Sequence, residues 1–287
     1  MTKTYTADQA RNRISPFRYP GGKASIYVKL RQAIQSLGSD SVTYIEPYAG
    51  GAGSALLLLK DNIVDEIHLN DADICVYSAW KAMLNDTNSF IEAIMTTPVT
   101  MDTWYKSKEI VSKATPATDT LELGFATFFL NRTNRSGILR GAGPIGGYSQ
   151  SGTWRLDARY YKSTIVDRIR TLQKMSSRIH LHWKDGLEFL KWSAENLQMR
   201  DLFAFVDPPY VQAGNRLYLN TMNEKKHSEL AAFLMGQSIK NWVLTYDDCD
   251  LIRTLYSSMP KEKLEINYSL QNRRRETEII ITALTDR

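Results

Sequence analysis

Apolar positions near the start of the chain follow two different spacings in turn. Residues 26–37 carry apolar side chains three or four positions apart and are followed by Gly38, which predicts a helix. After them, short apolar runs at residues 42–45 and 66–69 predict strands. Each strand is followed by a segment of helical spacing, at residues 53–60 and 73–85. This order of strand, helix, strand and helix is typical of a parallel sheet in an open α/β domain.

The middle of the chain has a different pattern. Residues 86–132 have helical spacing throughout, with their apolar residues on one face. Residues 136–155 are rich in glycine and too interrupted for a helix, which predicts a hairpin or a long loop. Helical spacing returns at residues 158–175. We therefore interpret residues 86–177 as a mainly helical insertion.

The α/β pattern resumes beyond the insertion. Residues 202–206 (LFAFV) are continuously apolar, as in a central strand that is buried on both faces. The other predicted strands are residues 178–183, 242–246, 263–268 and 278–284, and the predicted helices are residues 186–196 and 224–235. Residues 1–85 and 178–287 would then form one α/β domain that the insertion interrupts.

Composition and charge narrow the class of protein. Hydrophobic residues make up 43% and charged residues 23% of the chain, and no apolar run approaches the roughly 18 residues of a membrane helix. The N-terminal residues lack the apolar core of a secretory signal. The two cysteines are far apart in the sequence and suggest no disulfide framework, so we expect a cytoplasmic protein without disulfides. The net charge is +5, which fits binding to a polyanion. The arginines cluster at residues 11–18, 132–140 and 273–275.

The sequence Asp207-Pro208-Pro209-Tyr210 directly follows the apolar run at residues 202–206. Open α/β sheets bind ligands at the carboxyl ends of their strands, so an active site is expected here. The Asp207 carboxylate and the Pro208 carbonyl would accept both N–H bonds of an exocyclic amine, whose lone pair is otherwise delocalised into its ring. Tyr210 offers a face on which a base can stack. The motif predicts chemistry at the exocyclic nitrogen of a base, with an ordinary proline turn as the alternative.

A second motif, residues 46–54 (EPYAGGAGS), follows another predicted strand. Its glycines allow a tight turn close to a ligand, but the spacing is not the GxGxxG of dinucleotide-binding folds. Asp71 lies about 20 residues beyond the glycines, at a strand end where a carboxylate accepts hydrogen bonds from ribose hydroxyls. A helix cap is the alternative role for Asp71.

A third motif, residues 17–23 (FRYPGGK), precedes the first predicted helix and is not a P-loop. In order and spacing, the three motifs resemble those of the Dam-like, adenine-specific DNA methyltransferases, and the resemblance extends from residue 16 to the end of the chain. It implies a Rossmann-like, S-adenosylmethionine-dependent methyltransferase sheet with an inserted, mainly helical target-recognition domain. Tyr19 stands where the best-known members have tryptophan, and a stacking role survives that change.

The resemblance also implies roles for single residues. The catalytic residues would be Asp207, Pro208 and Tyr210. The residues in contact with S-adenosylmethionine would be Tyr19, Lys23, Glu46, Gly50, Asp71, Asp185 and Asp207, with Asp185 at its adenine. The residues in contact with DNA would be Asn131, Arg132, Arg135, Arg140 and Arg155.

A site-specific enzyme of this kind would extrude the target adenine from double-stranded DNA before methylating it. Its partners would be double-stranded DNA and S-adenosylmethionine, and a cognate restriction endonuclease acting on the same site is a further candidate. It would lie in the cytoplasm with the nucleoid of a prokaryotic or phage-infected cell.

Three alternatives differ in substrate or in class. An RNA-base methyltransferase can use a similar Pro-Pro-aromatic turn. A methyltransferase of the cytosine amine more often has serine in the place of Asp207. A non-catalytic DNA-binding protein on this scaffold would show decay of the motifs, which are intact here.

Two histidines, His180 and His182, alternate on the strand predicted at residues 178–183 and face the same side. A metal site in a protein needs three or more ligands, and no further ligand is apparent in the sequence. We therefore expect packing or surface roles for both histidines and no metal site.

Overall fold

A seven-stranded sheet forms the centre of the fold. The computed structural model describes residues 14–18, 26–197, 201–211, 222–267 and 275–285. The strands are β1 (Thr43–Glu46), β2 (Glu66–Asn70), β3 (Ile179–His182), β4 (Leu202–Val206), β5 (Asn241–Asp247), β6 (Lys261–Asn267) and β7 (Arg275–Ala283). Their order across the sheet is β3-β2-β1-β4-β5-β7-β6.

The first five strands are parallel, and β7 runs antiparallel between β5 and β6. On one side of β1 lie β2 and then β3, and on its other side lie β4 and then β5. The direction in which successive strands are added therefore reverses between β1 and β4. Open α/β sheets bind their ligands in the crevice at such a reversal. The predicted α/β class with a Rossmann-like sheet is confirmed.

Helices cover the sheet and form the insertion. The described α-helices are α1 (Tyr27–Ser36), α2 (Gly53–Lys60), α3 (Ile74–Asn85), α4 (Thr87–Thr96), α5 (Met101–Ser112), α6 (Thr120–Thr133), α7 (Lys162–Gln173), α8 (Gly186–Asn196), α9 (Glu224–Met235) and α10 (Asp250–Leu255). The short helix α10 has no counterpart in the predicted pattern. None of the described helices has the length and apolarity that a membrane span requires.

Helix α6 of the predicted insertion packs on α3, a helix of the sheet domain. Helix α6 approaches α3 at Gly124, where an added Cβ atom would lie 2.6 Å from the carbonyl oxygen of Ser78. Phe17 links the two helices, since its ring centroid lies 6.0 Å from that of Phe128 and 5.2 Å from that of Trp80. The insertion and the sheet domain therefore share one apolar core. The insertion boundaries at residues 86 and 177 stay a prediction.

Residues 134–155 form a long loop and not a hairpin of regular strands. Their regular features are one turn of 3-10 helix and an isolated bridge between Asn134 and Pro144. Asn134 is buried and accepts a hydrogen bond from Trp104 Nε1 at 2.7 Å, whereas Trp154 is exposed. The start of the loop is thus fixed to the helical layer, and its later part reaches the surface. We call residues 134–155 the glycine-rich loop.

Candidate active site

Three carboxylates lie at the ends of neighbouring strands. Glu46 is the last residue of β1, and Asp71 and Asp207 directly follow β2 and β4. Because β2, β1 and β4 are adjacent and parallel, their carboxyl ends lie at one edge of the sheet. The fold thus brings together predicted catalytic and cofactor-binding residues from distant parts of the sequence.

Glu46 is almost completely buried at the end of β1. Only 4% of its surface is exposed, and its Oε1 accepts a hydrogen bond from Tyr44 Oη at 2.8 Å. Burial, with a smaller contribution from the charge of Asp207, raises the pKa of Glu46 to about 8 against the opposing effect of the Tyr44 hydrogen bond. A cationic group placed nearby would lower this pKa again, because it favours the ionised form.

The glycine turn after β1 contacts Asp71. Gly50 has a φ of 46°, in the left-handed region that favours glycine, and its N–H donates to Asp71 Oδ2 at 3.0 Å. The N–H of Asp73 donates to Asp71 Oδ1 at 2.9 Å. Burial raises the pKa of Asp71 to about 7. The side chain that caps α3 is Asp73, which accepts a hydrogen bond from the N–H of Cys75, so Asp71 is not the helix cap.

Asn70, which no motif marks in the sequence, joins the ends of three strands. It is fully buried, and its Nδ2 donates to the carbonyl oxygens of Pro47 at 2.9 Å and Lys184 at 3.0 Å. Its Oδ1 accepts from the N–H of Lys184 at 2.9 Å. The turns after β1 and β3 are therefore held against the end of β2. The only available sequence signal for this role was an asparagine at the end of β2.

Two hydroxyl groups hold the Asp207 carboxylate. Thr245 Oγ1 on β5 donates to Asp207 Oδ1 at 2.5 Å, and Tyr210 Oη donates to the same oxygen at 3.2 Å. Thr245, Pro208 and Tyr210 are buried, so the motif after β4 is packed against the sheet. Thr245 is a second site residue that sequence reasoning missed, because nothing in its own segment distinguishes it.

Asp185 lies after β3, next to a close contact with Tyr48. An added Cβ atom at Gly186 would lie 2.3 Å from Tyr48 Cζ, so a larger residue here would displace the Tyr48 ring. Asp185 caps α8 by accepting from the N–H of Leu187 at 3.0 Å, and it pairs with Lys226 Nζ at 3.1 Å. Partial burial raises the pKa of Asp185, but the hydrogen bonds from Lys226 and Leu187 outweigh it and lower the pKa overall.

Asn131 and Arg132 lie inside the protein. Asn131 Nδ2 donates to the carbonyl oxygens of Arg18 at 2.7 Å and Gly137 at 2.9 Å, and Arg132 donates to the carbonyl oxygen of Arg159. Burial, followed by the charges of neighbouring arginines, lowers the pKa of Arg132 to about 9. Both side chains are buried and contact the protein's own backbone, and they hold residues 16–18 and the glycine-rich loop on α6. Contact of Asn131 and Arg132 with DNA stays a prediction.

The other three arginines predicted to contact DNA differ in their surroundings. Arg135 and Arg155 are exposed on the glycine-rich loop. Arg140 Nη2 lies 3.4 Å from Cys75 Sγ and 3.9 Å from Asp73 Oδ1, beside the start of α3. Arg140 is therefore next to the turn that contains Asp71. DNA contact by these three residues stays a prediction.

The family model of the D12 class N6 adenine-specific DNA methyltransferases matches residues 19–272. The chain belongs to this family. It is an enzyme that methylates the exocyclic amino group of adenine in DNA, as the motifs predicted. Family membership favours this activity over the RNA-base, cytosine-amine and non-catalytic alternatives.

Solved structures similar to the methyltransferase include two other methyltransferases. The rRNA methyltransferase aviRa from Streptomyces viridochromogenes is 12% identical, with a TM-score of 0.45 over 98% of this chain and 94% of that chain. The methyltransferase domain of bacterial CtHen1-CN is 9% identical, with a TM-score of 0.40 over 92% of this chain and 100% of that chain. No curated protein matches the chain.

Some predicted residues lie outside the described residues. These are Tyr19 and Lys23, which were predicted to contact the cofactor, and the arginines at residues 11, 13, 273 and 274. Within the described residues, Glu46, Gly50, Asp71 and Asp185 all lie at the ends of β1, β2 and β3 or in the turns that follow them.

Proposed function

We propose that the methyltransferase depends on S-adenosylmethionine and that Glu46, Gly50, Asp71 and Asp185 hold this cofactor at the ends of β1, β2 and β3. The chemistry of these residues fits a ligand with cationic groups, ribose hydroxyls and an adenine amine. Asp71 uses two acceptor positions for backbone N–H groups, and a carboxylate has about four, so it keeps capacity for hydroxyl donors. Glu46 is a buried acid without a cationic partner among its named contacts, and a cation would favour its ionised form.

When bound, S-adenosylmethionine supplies an electrophilic methyl group. Asp207 and the carbonyl of Pro208 accept the two N–H bonds of the target amine, which frees the nitrogen lone pair from the ring for attack. Thr245 and Tyr210 position the carboxylate through their hydrogen bonds to Oδ1. Glu46 ends β1 and Asp207 directly follows β4, and these two strands are paired in parallel, so we place the target amine next to the cofactor residues.

The target adenine has to leave the duplex to reach this site, because Asp207 lies at a sheet edge with a buried turn around it. The glycine-rich loop supports a role in reading the flanking DNA, since Arg135 and Arg155 are exposed there and arginine suits both guanine edges and phosphates. A cognate restriction endonuclease and residence with cellular DNA in the cytoplasm stay predictions.

The observation that carries the proposal is the convergence of Glu46, Asp71 and Asp207 at adjacent strand ends. Replacing Asp207 by alanine should abolish transfer of a labelled methyl group to DNA while leaving thermal unfolding cooperative. The matched control is Asp201→Ala, which removes a carboxylate at the opposite end of β4 and should retain transfer. Transfer by Asp207→Ala within tenfold of the unmodified enzyme would refute the assignment.

A further inference from the structure

A cluster of imidazole and carboxylate groups lies on β2 and β3, away from the strand ends that form the candidate active site. His68 and His180 are paired across the two parallel strands. Glu66 lies two residues before His68, so both side chains project from the same face of the sheet. The expectation that no further ligand lies near His180 is therefore wrong, because the fold adds one histidine and one glutamate from a strand more than 100 residues earlier in the sequence.

The nitrogen and oxygen atoms of this cluster face one another. His180 Nε2 lies 3.1 Å from Glu66 Oε2, and His68 Nε2 lies 3.5 Å from Glu66 Oε1. One ligand atom from each of the three residues lies within 4.8 Å of the others. Bonds of about 2.0–2.2 Å from nitrogen and oxygen to a zinc ion give ligand separations of roughly 3.3–3.6 Å in a tetrahedral site, so modest side-chain rotation would complete the geometry.

His68 has the surroundings of a ligand that is held in place. Only 6% of it is exposed, and its Nε2 has no hydrogen-bond partner among the described residues. Its other nitrogen, Nδ1, lies 3.0 Å from His182 Nε2. If Nδ1 donates to His182, the lone pair of Nε2 points toward Glu66, as in metal sites where a second group fixes the tautomer of the ligating histidine.

The surroundings of the cluster orient its carboxylate and leave one of its histidines open to solvent. Thr43 Oγ1 donates to Glu66 Oε1 at 3.1 Å and orients that carboxylate. His180 keeps 40% of its side chain exposed, so the cluster is open to solvent on one side.

We propose that Glu66, His68 and His180 bind one divalent transition-metal ion, with His182 orienting His68. Two imidazoles and one carboxylate suit Zn²⁺ and its neighbours Co²⁺ and Ni²⁺, whereas Mg²⁺ prefers oxygen ligands. The ion would join the edge strand β3 to β2 and leave one coordination position open to water. It has a structural role and takes no part in methyl transfer, so the inference is independent of the proposed function.

The test is metal titration of the untagged, full-length protein after treatment with a chelator. Calorimetry with Zn²⁺ should give one site per chain, and Co²⁺ should give the absorption bands of a tetrahedral complex. His180→Ala and Glu66→Gln should each weaken Zn²⁺ binding at least tenfold. The control Glu195→Gln, which changes an exposed carboxylate on α8, should bind as the unmodified protein does.

Two results would overturn the proposal. Absence of Zn²⁺ binding at micromolar concentrations would mean that the cluster has only a packing role. Binding that is unchanged in both His180→Ala and Glu66→Gln would place the ion elsewhere on the chain. Both variants alter partly exposed side chains on β2 and β3, and far-ultraviolet circular dichroism on the same samples is the control for folding.

Discussion

Thr245→Val isolates the contribution of one hydrogen bond to the reaction. Thr245 is fully buried on β5, and its hydroxyl donates to Asp207 Oδ1 at 2.5 Å. Valine has nearly the same shape, so the substitution removes the donor without opening a cavity. Asp207 would keep the weaker contact from Tyr210 Oη at 3.2 Å, but it would no longer be held from the neighbouring strand.

The size of the effect follows from the charge of the acceptor. Hydrogen bonds to charged groups contribute about 1.5–3 kcal/mol. Because about 1.4 kcal/mol corresponds to a tenfold change in rate, loss of the whole bond would lower the rate roughly 10- to 150-fold. Because Tyr210 still donates to the same oxygen, we expect kcat to fall about 10- to 30-fold. The affinity for S-adenosylmethionine should change little, since Thr245 contacts the catalytic carboxylate and not the residues proposed to hold the cofactor.

The assay is single-turnover transfer of a labelled methyl group to DNA, with cofactor affinity measured by calorimetry. Thr245→Ser restores a hydroxyl and should recover most of the rate, which a purely structural role for the position would not predict. Thr96→Val is the matched control, because the Thr96 hydroxyl donates to a backbone carbonyl on the exposed side of α4. A rate for Thr245→Val within twofold of the unmodified enzyme would refute the positioning role.

Two further predictions concern the buried acids and the glycine-rich loop. Burial raises the pKa of Glu46 to about 8, so its folded state binds a proton more tightly than its unfolded state. The contribution of Glu46 to the free energy of unfolding is therefore fully present below a pH of about 4 and is lost as the pH rises to about 8. Glu46→Gln should remove this contribution from the pH dependence measured in urea titrations, and an unchanged profile would contradict the raised pKa. At the glycine-rich loop, Arg155→Ala should relax the base preference at one position of the DNA site by roughly 1–3 kcal/mol, measured on a library of near-match duplexes. Arg140→Ala should have the same effect and should also weaken cofactor binding. If both variants discriminate between these duplexes as the unmodified enzyme does, the bases are read by another part of the protein.

Elements with local signals were predicted closely. Helix α9 has the predicted bounds, because Asn223 caps its first turn through the N–H of Lys226 and Gly236 follows its last residue. Strand β4 was predicted from five apolar residues, and the motif after it identified the site of Asp207. Each of these signals depends only on residues that are neighbours in the sequence.

The burial of Asn131 and Arg132 could not be predicted, because the sequence does not show which face of α6 is covered. Arginine on a helix is normally exposed, and the segment that buries this pair, residues 16–18, lies more than 100 residues earlier. Tyr210, Pro208 and Asp207, in contrast, occupy the strand-end position that their motif predicted.

The sequence by itself determined the fold class, the order of the motifs and the position of acids at strand ends, because hydrophobic spacing and strand-end motifs are local properties. Only the tertiary structure decided which side chains meet. Thr245 contacts Asp207 across 38 residues, and Asn70 contacts Lys184 across 114. These contacts depend on strand order and register, which are set by burying both faces of the parallel sheet and are not contained in either segment alone. The histidine and glutamate cluster on β2 and β3 arises for the same reason.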